Sequence, residues 1–453
     1  MLGLVANMQG PTNANGADGR NESGVPHSRL RPCSSHRFGD LPGHSKGSDR
    51  MQYQLFDPAD CNFPKPRVPL LPLLAGQSLG RRSSRLYRQM GEDNNTRFYA
   101  RGRYALRAAY QLAGVGQSGA LLVPSYHCRT MLDPAIRLGA KILFYPLHPE
   151  LSPDTSALAS LVACSKEPIT ALLLTHYFGF SQDLGRVADF CKQNSIALIE
   201  DCSHALFSAS TPDCKQTKLP MGKTGRFGVA SPYKFFPVED GGLLWANEPH
   251  HLAPDTRTPR NPTQEVKAML HMVQRAFDRP RTPDSSLIGE EIRTLSDKAF
   301  SEGHDALVDD AQISGYYDTL DEDQPSLTSS RWVIRHTPID RLASRRRENY
   351  MQWVQAVASL PCCKALFPVL PTDCVPYMFP LLIDRPENHF FTVKQIGVPI
   401  WRWDSMAVSG CAVAADYRLR LLHIPCHQEL TSEQMAWMTQ TVQKVMCQLP
   451  RQN

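Results

Sequence analysis

The strongest constraint on the fold is a repeated alternation of short apolar runs and amphipathic stretches between residues 97 and 250. The apolar runs have strand length, and the stretches between them have the period of a helix. This alternation predicts a mainly parallel sheet covered by helices on both faces. The segments are, in order, the helix TRFYARGRYALRAAYQLAG, the strand GALLVPSY, the helix CRTMLDPAIRLG, the strand KILFYPL, the helix DTSALASLVAC, the strand PITALLLTHYFG, the helix DLGRVADFCKQNS, and the strands IALIEDCS, GRFGVASP and GGLLWAN.

The composition changes along the chain and predicts several units, because 453 residues are too many for one simple core. The first fifty residues are rich in Gly, Asn, Ser, Pro and Arg and cannot bury much apolar surface, although Met51 is an alternative start. The predicted units are a disordered extension (1–50), an extended arm (51–96), a large three-layer αβα domain (97–250), a polar insertion or lid (251–339) and a small C-terminal α+β domain (340–453).

The overall charge predicts no nucleic-acid or membrane partner. The net charge of +5 is spread along the chain, and 42% hydrophobic with 21% charged residues is ordinary for a globular protein. The basic run SRRREN at 344–349 is interpreted as a solvated helix face. No apolar run is long enough to span a bilayer, and no signal peptide is recognised at the N-terminus.

Cysteine usage indicates a reducing compartment. The thirteen cysteines show no zinc-ligand spacing, and several lie in apolar strings. Buried free thiols explain them better than disulfides do, so we expect a cytoplasmic protein without a metal site.

Two residues at strand ends carry the chemical hypothesis. Asp201 ends the buried run IALIED, and Lys234 lies in SPYKFFPVEDGG, among aromatic residues and prolines. Ligands of parallel sheets bind beyond the carboxyl ends of the strands, where both side chains are expected. A lysine with an acid partner suits pyridoxal phosphate (PLP), because the amine forms a Schiff base and the acid pairs with the pyridinium nitrogen. A buried structural ion pair is the alternative that this spacing leaves open.

Five motifs in series resemble the DegT/StrS-type sugar aminotransferases, which are PLP-dependent enzymes of fold type I. The motifs are GALLVPSY, LTHYFG, LIEDCSHAL, FGVASPYKFFPVEDGG and LLHIPCHQELTSEQ, and the resemblance covers roughly 97–250 and 335–448. It implies a PLP-transferase-like large domain and a homodimer with shared cofactor sites. It also implies amino transfer from an amino acid to a keto-sugar, which is usually linked to a nucleotide.

The resemblance also assigns roles to residues at matching positions. Lys234 is the Schiff-base lysine and Asp201 the pyridinium partner. His204 stands where the family has a glutamine near the phenolic oxygen. The cofactor phosphate is assigned to Ser231 and to Gly102 and Arg103 at a helix N-terminus. The predicted ring stacker is Tyr126 or His127, with a preference for His127. His176 is interpreted as a packing residue, and the segments 401–404 and 425–428 as an entrance or a domain interface.

One departure from the family pattern leaves other functions open. The Gly-Tyr-Asn-x-Arg-like loop that reaches the neighbouring subunit's phosphate is not recognisable, and SLTSSRW at 326–332 offers only Ser329 and Arg331 in its place. The alternatives are a PLP-dependent sugar dehydratase or epimerase and a non-catalytic relative with a binding or regulatory role. The lysine counts against the dehydratases, which have histidine there.

Overall fold

The computed structural model of the protein describes residues 51–57, 61–80, 95–206, 221–247, 249–296, 304–309 and 312–448. The extension 1–50, predicted to be disordered, lies outside these residues. The strands are β1 (Gln52–Asp57), β2 (Thr96–Tyr99), β3 (Ala120–Pro124), β4 (Ile142–Tyr145), β5 (Ile169–Thr175), β6 (Ala197–Asp201), β7 (Phe227–Ala230), β8 (Gly242–Ala246), β9 (His304–Asp309), β10 (Cys363–Ala365), β11 (Met378–Ile383), β12 (Met406–Ala407) and β13 (Leu421–Pro425). The α-helices are α1 (Gly102–Leu112), α2 (Arg129–Arg137), α3 (Thr155–Cys164), α4 (Gly185–Gln193), α5 (Pro262–Phe277), α6 (Ile288–Ser296), α7 (Thr328–His336), α8 (Ile339–Val357), α9 (Phe391–Gln395), α10 (Ala412–Arg420) and α11 (Ser432–Gln448).

A seven-stranded sheet forms the centre of the fold. Its strand order is β2-β8-β7-β6-β5-β3-β4, and β8 alone runs against the other strands, because it pairs antiparallel with both β7 and β2. The predicted mainly parallel α/β fold is confirmed. The strand order brings the carboxyl ends of β3, β5, β6 and β7 to one edge of the sheet.

Both faces of the sheet are buried, as the continuous apolar strands require. On one face, α1 and α2 pack against strand residues such as Leu121 and Val123. On the other face, alternate residues such as Leu122 and Leu174 join α3, α4 and the C-terminal part of the chain. Side chains alternate between the faces along a strand, so neighbouring residues belong to different cores.

Two predicted elements differ from the structure. The predicted first helix begins too early, because residues 96–99 form β2 and the helix starts at Gly102. Pairing of β2 with β8 satisfies backbone groups that a longer helix would have used. The sequence KQIGVPIWRWD at 394–404 predicts a turn followed by a strand, but after the short helix α9 the structure forms only one bridge there, between Trp401 and His423.

The arm, the insertion and the C-terminal region are joined by two small sheets. One has the order β12-β1-β9 and connects the N-terminal arm with the insertion, and the other is the antiparallel sheet β10-β11-β13. The arm also packs against the C-terminal region, where Phe63 lies 5.9 Å from Phe390 between ring centroids. The unit boundaries given above stay predictions.

Two expectations about environment can be compared with the described part of the chain. None of the helices described is long and apolar enough to cross a bilayer. The described cysteines are all free thiols, and most of them are buried.

Candidate active site

Asp201 and Lys234 follow neighbouring parallel strands. Asp201 is the last residue of β6 and lies opposite Val229 of β7. Just beyond the end of β7, Ser231 begins a tight turn, Pro232–Lys234, that ends at the lysine. The register of the two strands therefore brings the carboxylate and the lysine turn to the same edge of the sheet.

The carboxylate of Asp201 is buried and has no charge partner among the residues that the structure describes. The residue is 3% exposed, and its Oδ1 accepts a hydrogen bond of 2.9 Å from the backbone N–H of Ser203. Within the described ranges Asp201 forms no ion pair. Because a buried charge without a counter-charge is expensive, this position suits a cationic ligand atom.

The amine of Lys234 lies against an aromatic ring. Its Nζ is 5.3 Å from the ring centroid of Tyr377, a cation–π contact. The lysine backbone is fixed separately, because its carbonyl accepts a hydrogen bond of 3.2 Å from Arg346. Among the residues that the structure describes, Nζ has no carboxylate partner, so the amine is held in place without being neutralised.

His204 lies close to the amine. Its ring stacks on Tyr377 with a centroid distance of 4.5 Å, and its buried Nδ1 has no hydrogen-bond partner in the described structure. Burial, together with the charge of Lys234 and nearby His423, lowers the pKa of His204 well below its ordinary value. The imidazole is therefore neutral, with one ring nitrogen available to a ligand.

An aromatic cluster from distant parts of the chain surrounds His204 and the amine of Lys234. Tyr126 lies 4.8 Å from Trp403 between ring centroids, and its hydroxyl is 2.9 Å from Nε2 of His423. Burial lowers the pKa of His423 to about 3. The members of this aromatic cluster are Tyr126, Phe178, His204, Tyr377, Trp401, Trp403 and His423.

His127 points to the opposite face of the sheet from Tyr126. Its ring stacks on Phe144 with a centroid distance of 5.0 Å. Its Nδ1 donates a hydrogen bond to the carbonyl of Ser125, and its Nε2 accepts one from the N–H of Ala407. His127 therefore lies away from the residues around Lys234, and its role as the ring stacker stays a prediction. Tyr126, its neighbour in the chain, is the better-placed candidate.

The residues predicted to bind the phosphate lie together at the start of α1. A Cβ on Gly102 would overlap Oγ of Ser231, so glycine lets the helix approach the serine without displacing its hydroxyl. The hydroxyl of Ser231 donates a hydrogen bond of 3.0 Å to Oγ of Ser203. The N-terminus of α1 and these two hydroxyls form what we call the α1 seat.

Arg103 has a less direct position. It lies near Asp133 and Tyr316, and its charge opposes the rise in their pKa values that burial causes. Arg101, which the sequence did not single out, lies over the ring of Tyr233 at 5.1 Å, next to the lysine turn. The role of Arg103 at a phosphate stays a prediction, and Arg101 is a second candidate for that charge.

Gly102→Ala should damage the α1 seat. The new methyl group would force the Ser231 hydroxyl away from Ser203, so we expect a loss of about 1–2 kcal/mol in the free energy of unfolding, measured with urea. Gly289→Ala in α6 is the control, because its Cβ would meet no atom within 4 Å, and it should gain up to about 1 kcal/mol. Equal effects of the two substitutions would contradict this account of Gly102.

Glu200, the neighbour of Asp201, faces away from the site. Its carboxylate accepts hydrogen bonds from Nε2 of His176 and from the backbone of Gly222, Thr224 and Gly225. The two acids of IALIED therefore have different surroundings, and Glu200 is a structural residue. His176 is fully buried and hydrogen-bonded to Glu200, which agrees with its interpretation as a structural residue at the strand end.

Arg346 is the main residue that the sequence interpretation missed. It lies within the basic run interpreted as a solvated face, yet it is fully buried. Its guanidinium donates to the carbonyls of Lys234, Pro376 and Tyr377 and to the side chain of Gln428. Burial lowers its pKa to about 10. Arg346 thus joins the lysine turn to Tyr377, which lies just before β11, and the helical period of α8 places Arg346 on the buried face.

The predicted entrance residues are divided between two directions. Trp401 donates through Nε1 to Nδ1 of His423, and Trp403 packs in the aromatic cluster. Arg402 points away and stacks over Phe390 at 3.9 Å, so it is part of the packing with the arm.

The substitutes for the missing loop are engaged within the chain. The hydroxyl of Ser329 donates to Glu265 of α5 at 2.7 Å, and Arg331 donates to Thr328.

Comparison with known proteins identifies the segment that holds these residues. Residues 98–274 match the profile of the DegT/DnrJ/EryC1/StrS aminotransferase family. This segment belongs to that family. The resemblance inferred from the motifs is thereby confirmed, and the DegT/StrS segment contains Lys234, Asp201 and the α1 seat.

Curated relatives match part of the chain at low identity. A pleiotropic regulatory protein of Geobacillus stearothermophilus is 26% identical over 181 residues, covering 38% of this chain and 45% of that protein. GDP-perosamine synthase of Vibrio cholerae is 25% identical over 155 residues, covering 32% and 38%. The chain therefore spans less than half the length of the curated relatives it matches.

Solved structures share the fold over most of the chain. S. venezuelae DesV, solved in complex with a ketimine intermediate, has a TM-score of 0.55 and 16% identity, covering 85% of this chain and 100% of that chain. Helicobacter pylori PseC, an aminotransferase involved in pseudoaminic acid biosynthesis, has a TM-score of 0.54 and 15% identity, covering 85% and 99%. At these identities the likeness shows the fold alone.

Proposed function

We propose that the protein is a PLP-dependent aminotransferase that converts a keto-sugar, carried on a nucleotide, to an amino-sugar with an amino-acid donor. The observation that carries this proposal is the buried carboxylate of Asp201, which has no ion pair within the described residues, at the sheet edge where the lysine turn begins. The names of relatives such as GDP-perosamine synthase support the choice of a sugar substrate.

The residues present fit the cofactor. Asp201 offers a buried anion for the pyridinium nitrogen, and the amine of Lys234 has no competing carboxylate among the described residues. His204 offers Nδ1, which has no hydrogen-bond partner among the residues described. The α1 seat offers a helix N-terminus and two hydroxyls for a phosphate.

The side chains of this chain then have distinct tasks. When bound, PLP supplies an electron sink that stabilises negative charge on the carbon from which a proton is removed. Asp201 keeps the ring nitrogen protonated, which maintains that sink. The amine of Lys234 would hold the cofactor covalently, and its Nζ would be the group that moves a proton between the donor carbon and the product carbon.

The aromatic cluster and Arg346 position these groups. The rings of Tyr377 and Trp403 exclude water around His204 and the lysine, which strengthens charge interactions at the site. Arg346 fixes the backbone of Lys234 through a hydrogen bond to its carbonyl, so the side chain that carries the amine extends from a fixed backbone. In the overall transfer, the donor amino acid leaves as a keto acid and its amino group replaces the keto oxygen of the sugar.

A homodimer in the cytoplasm belongs to the same proposal. Cofactor sites in the family are shared between subunits, and the thiol-rich chain suits a reducing compartment. A non-catalytic binding or regulatory protein is the second candidate, favoured because the Gly-Tyr-Asn-x-Arg-like loop is not recognisable and its substitute Ser329 is hydrogen-bonded to Glu265. A PLP-dependent sugar dehydratase or epimerase is the third candidate function.

One experiment distinguishes these functions. Purified protein is titrated with PLP, and the absorbance near the visible edge is followed with and without borohydride. Glutamate is then added with a panel of nucleotide-linked keto-sugars, and amino-sugar is detected by mass spectrometry. An aminotransferase gives both the band and the product, a dehydratase or epimerase gives the band and an altered sugar without added nitrogen, and a binding relative gives no turnover. Absence of the band refutes the proposed function.

A further inference from the structure

Ser203 links two groups that the proposed function assigns to different parts of the cofactor. It lies two residues after Asp201 and is 7% exposed. Its backbone N–H donates to Oδ1 of Asp201 at 2.9 Å, and its Oγ accepts from the hydroxyl of Ser231 at 3.0 Å. One residue therefore contacts both the predicted partner of the ring nitrogen and the predicted phosphate ligand.

The direction of the hydroxyl bond decides which serine can donate to a ligand. A hydroxyl has one proton, and Ser231 gives its proton to Ser203. The proton of Ser203 has no acceptor among the residues that the structure describes. Ser203 is thus the serine of the pair whose hydroxyl proton is available to a ligand. The hydroxyl of Ser231 donates to Ser203 instead.

The surroundings of the pair favour an anion. The glycine that starts α1 touches Ser231, since a Cβ on Gly102 would overlap its hydroxyl oxygen. Backbone N–H groups at a helix N-terminus carry partial positive charge, and α1 is long enough to provide it. A hydroxyl that accepts one hydrogen bond also becomes a stronger donor in the next.

We propose that Ser203 donates the hydroxyl hydrogen bond to the phosphate of PLP, and that Ser231 acts through Ser203 as a positioning residue. This assignment rests on the proposed function and changes the role predicted for Ser231 from a direct to an indirect ligand. Through its N–H, Ser203 also ties the position of Asp201 to occupation of the α1 seat.

The test compares two aldehydes that differ only in the phosphate. Dissociation constants of PLP and of pyridoxal, which lacks the phosphate, are measured by absorbance titration for wild type, Ser203→Ala, Ser231→Ala and the double variant. We expect Ser203→Ala to weaken PLP binding about 10- to 100-fold and to change pyridoxal binding less than about threefold, because a hydrogen bond to a charged group is lost. Ser231→Ala should weaken PLP less, and the double variant should match Ser203→Ala.

Two further variants sharpen the interpretation. Ser203→Thr keeps a hydroxyl and should retain most of the PLP affinity. Ser125→Ala is the matched control, because Ser125 is a buried serine beyond the end of β3 whose hydroxyl bonds to the carbonyl of Tyr145. It should leave the ratio of the PLP and pyridoxal constants unchanged.

Several outcomes would overturn the assignment. A larger loss of PLP affinity in Ser231→Ala than in Ser203→Ala would make Ser231 the direct ligand. Equal weakening of PLP and pyridoxal by Ser203→Ala would mean a general structural effect. Failure of the wild type to bind either aldehyde would refute the proposed function itself, and this differs from the other outcomes because no variant is needed to see it.

Discussion

Lys234→Ala is expected to abolish covalent attachment of PLP and to reduce amino transfer by at least roughly 10²–10⁴-fold, the range for loss of a positioned acid–base group. The substitution removes both the attachment point and the group that moves the proton. The fold should be unaffected, because the contacts that hold the turn use the backbone of residue 234, including its carbonyl bond to Arg346. The measurements are steady-state rates with glutamate and the cofactor mass retained on the protein after borohydride.

Lys394 provides an internal control for the assignment of the attachment site. Lys394 is a second lysine held against aromatic rings, 5.0 Å from the centroid of Phe63, and burial lowers its pKa to about 8. It lies outside the proposed site. Peptide mapping of the reduced wild type should therefore find the cofactor on Lys234 and not on Lys394. Cofactor mass on Lys394, or undiminished turnover in Lys234→Ala, would refute the assignment of Lys234.

The central sheet was predictable because it depends on local patterns. Each parallel strand is a short apolar run, and the order of strand ends in the chain already placed Asp201 and Lys234 at one edge. Errors occurred where a local signal competed with a distant partner. Residues 96–99 have a helical pattern, but pairing with β8 makes them a strand.

The choice between Tyr126 and His127 shows a second limit. Sequence alone gives the alternation of side chains along β3 and the residues after it, but it does not say which face of the sheet the C-terminal region covers. In the structure, Trp403 and His423 meet Tyr126, whereas Phe144 and Ala407 meet His127. The identity of the covering residues, far away in the chain, decides which ring faces the site.

Arg346 shows the opposite case, in which an available signal was not used. Residues 342, 346, 350 and 353 of α8 are buried, and this spacing has the period of a helix. The run of three arginines obscured the period, although only the middle one lies on the apolar face. Its partners, the carbonyls of Lys234 and Tyr377, could not be inferred because they depend on tertiary packing.

Glu200→Ala is the substitution with the largest expected effect on stability, about 3–5 kcal/mol in the free energy of unfolding measured with urea. The change leaves His176 and three backbone N–H groups, those of Gly222, Thr224 and Gly225, without their acceptor in a buried place. Each unsatisfied buried donor costs about 1–3 kcal/mol, less what relaxation and water recover. The control is Glu348→Ala, whose exposed contact with Arg345 should cost less than about 1 kcal/mol.

The pH dependence of the stability loss in Glu200→Ala distinguishes the loss of the charged carboxylate from a simple loss of side-chain packing. Burial raises the pKa of Glu200, but His176 and the backbone N–H groups of Gly225 and Gly222 outweigh burial and hold the pKa below its ordinary value of 4.5. A carboxyl whose pKa is lower in the folded state stabilises the fold fully above the unfolded pKa, and this contribution is lost as the pH falls through the folded pKa. The stability difference between wild type and Glu200→Ala should thus be constant near neutrality and should shrink below about pH 4.5. A difference that stays constant under acid conditions would mean that side-chain volume, and not the charged hydrogen-bonded network, accounts for the loss.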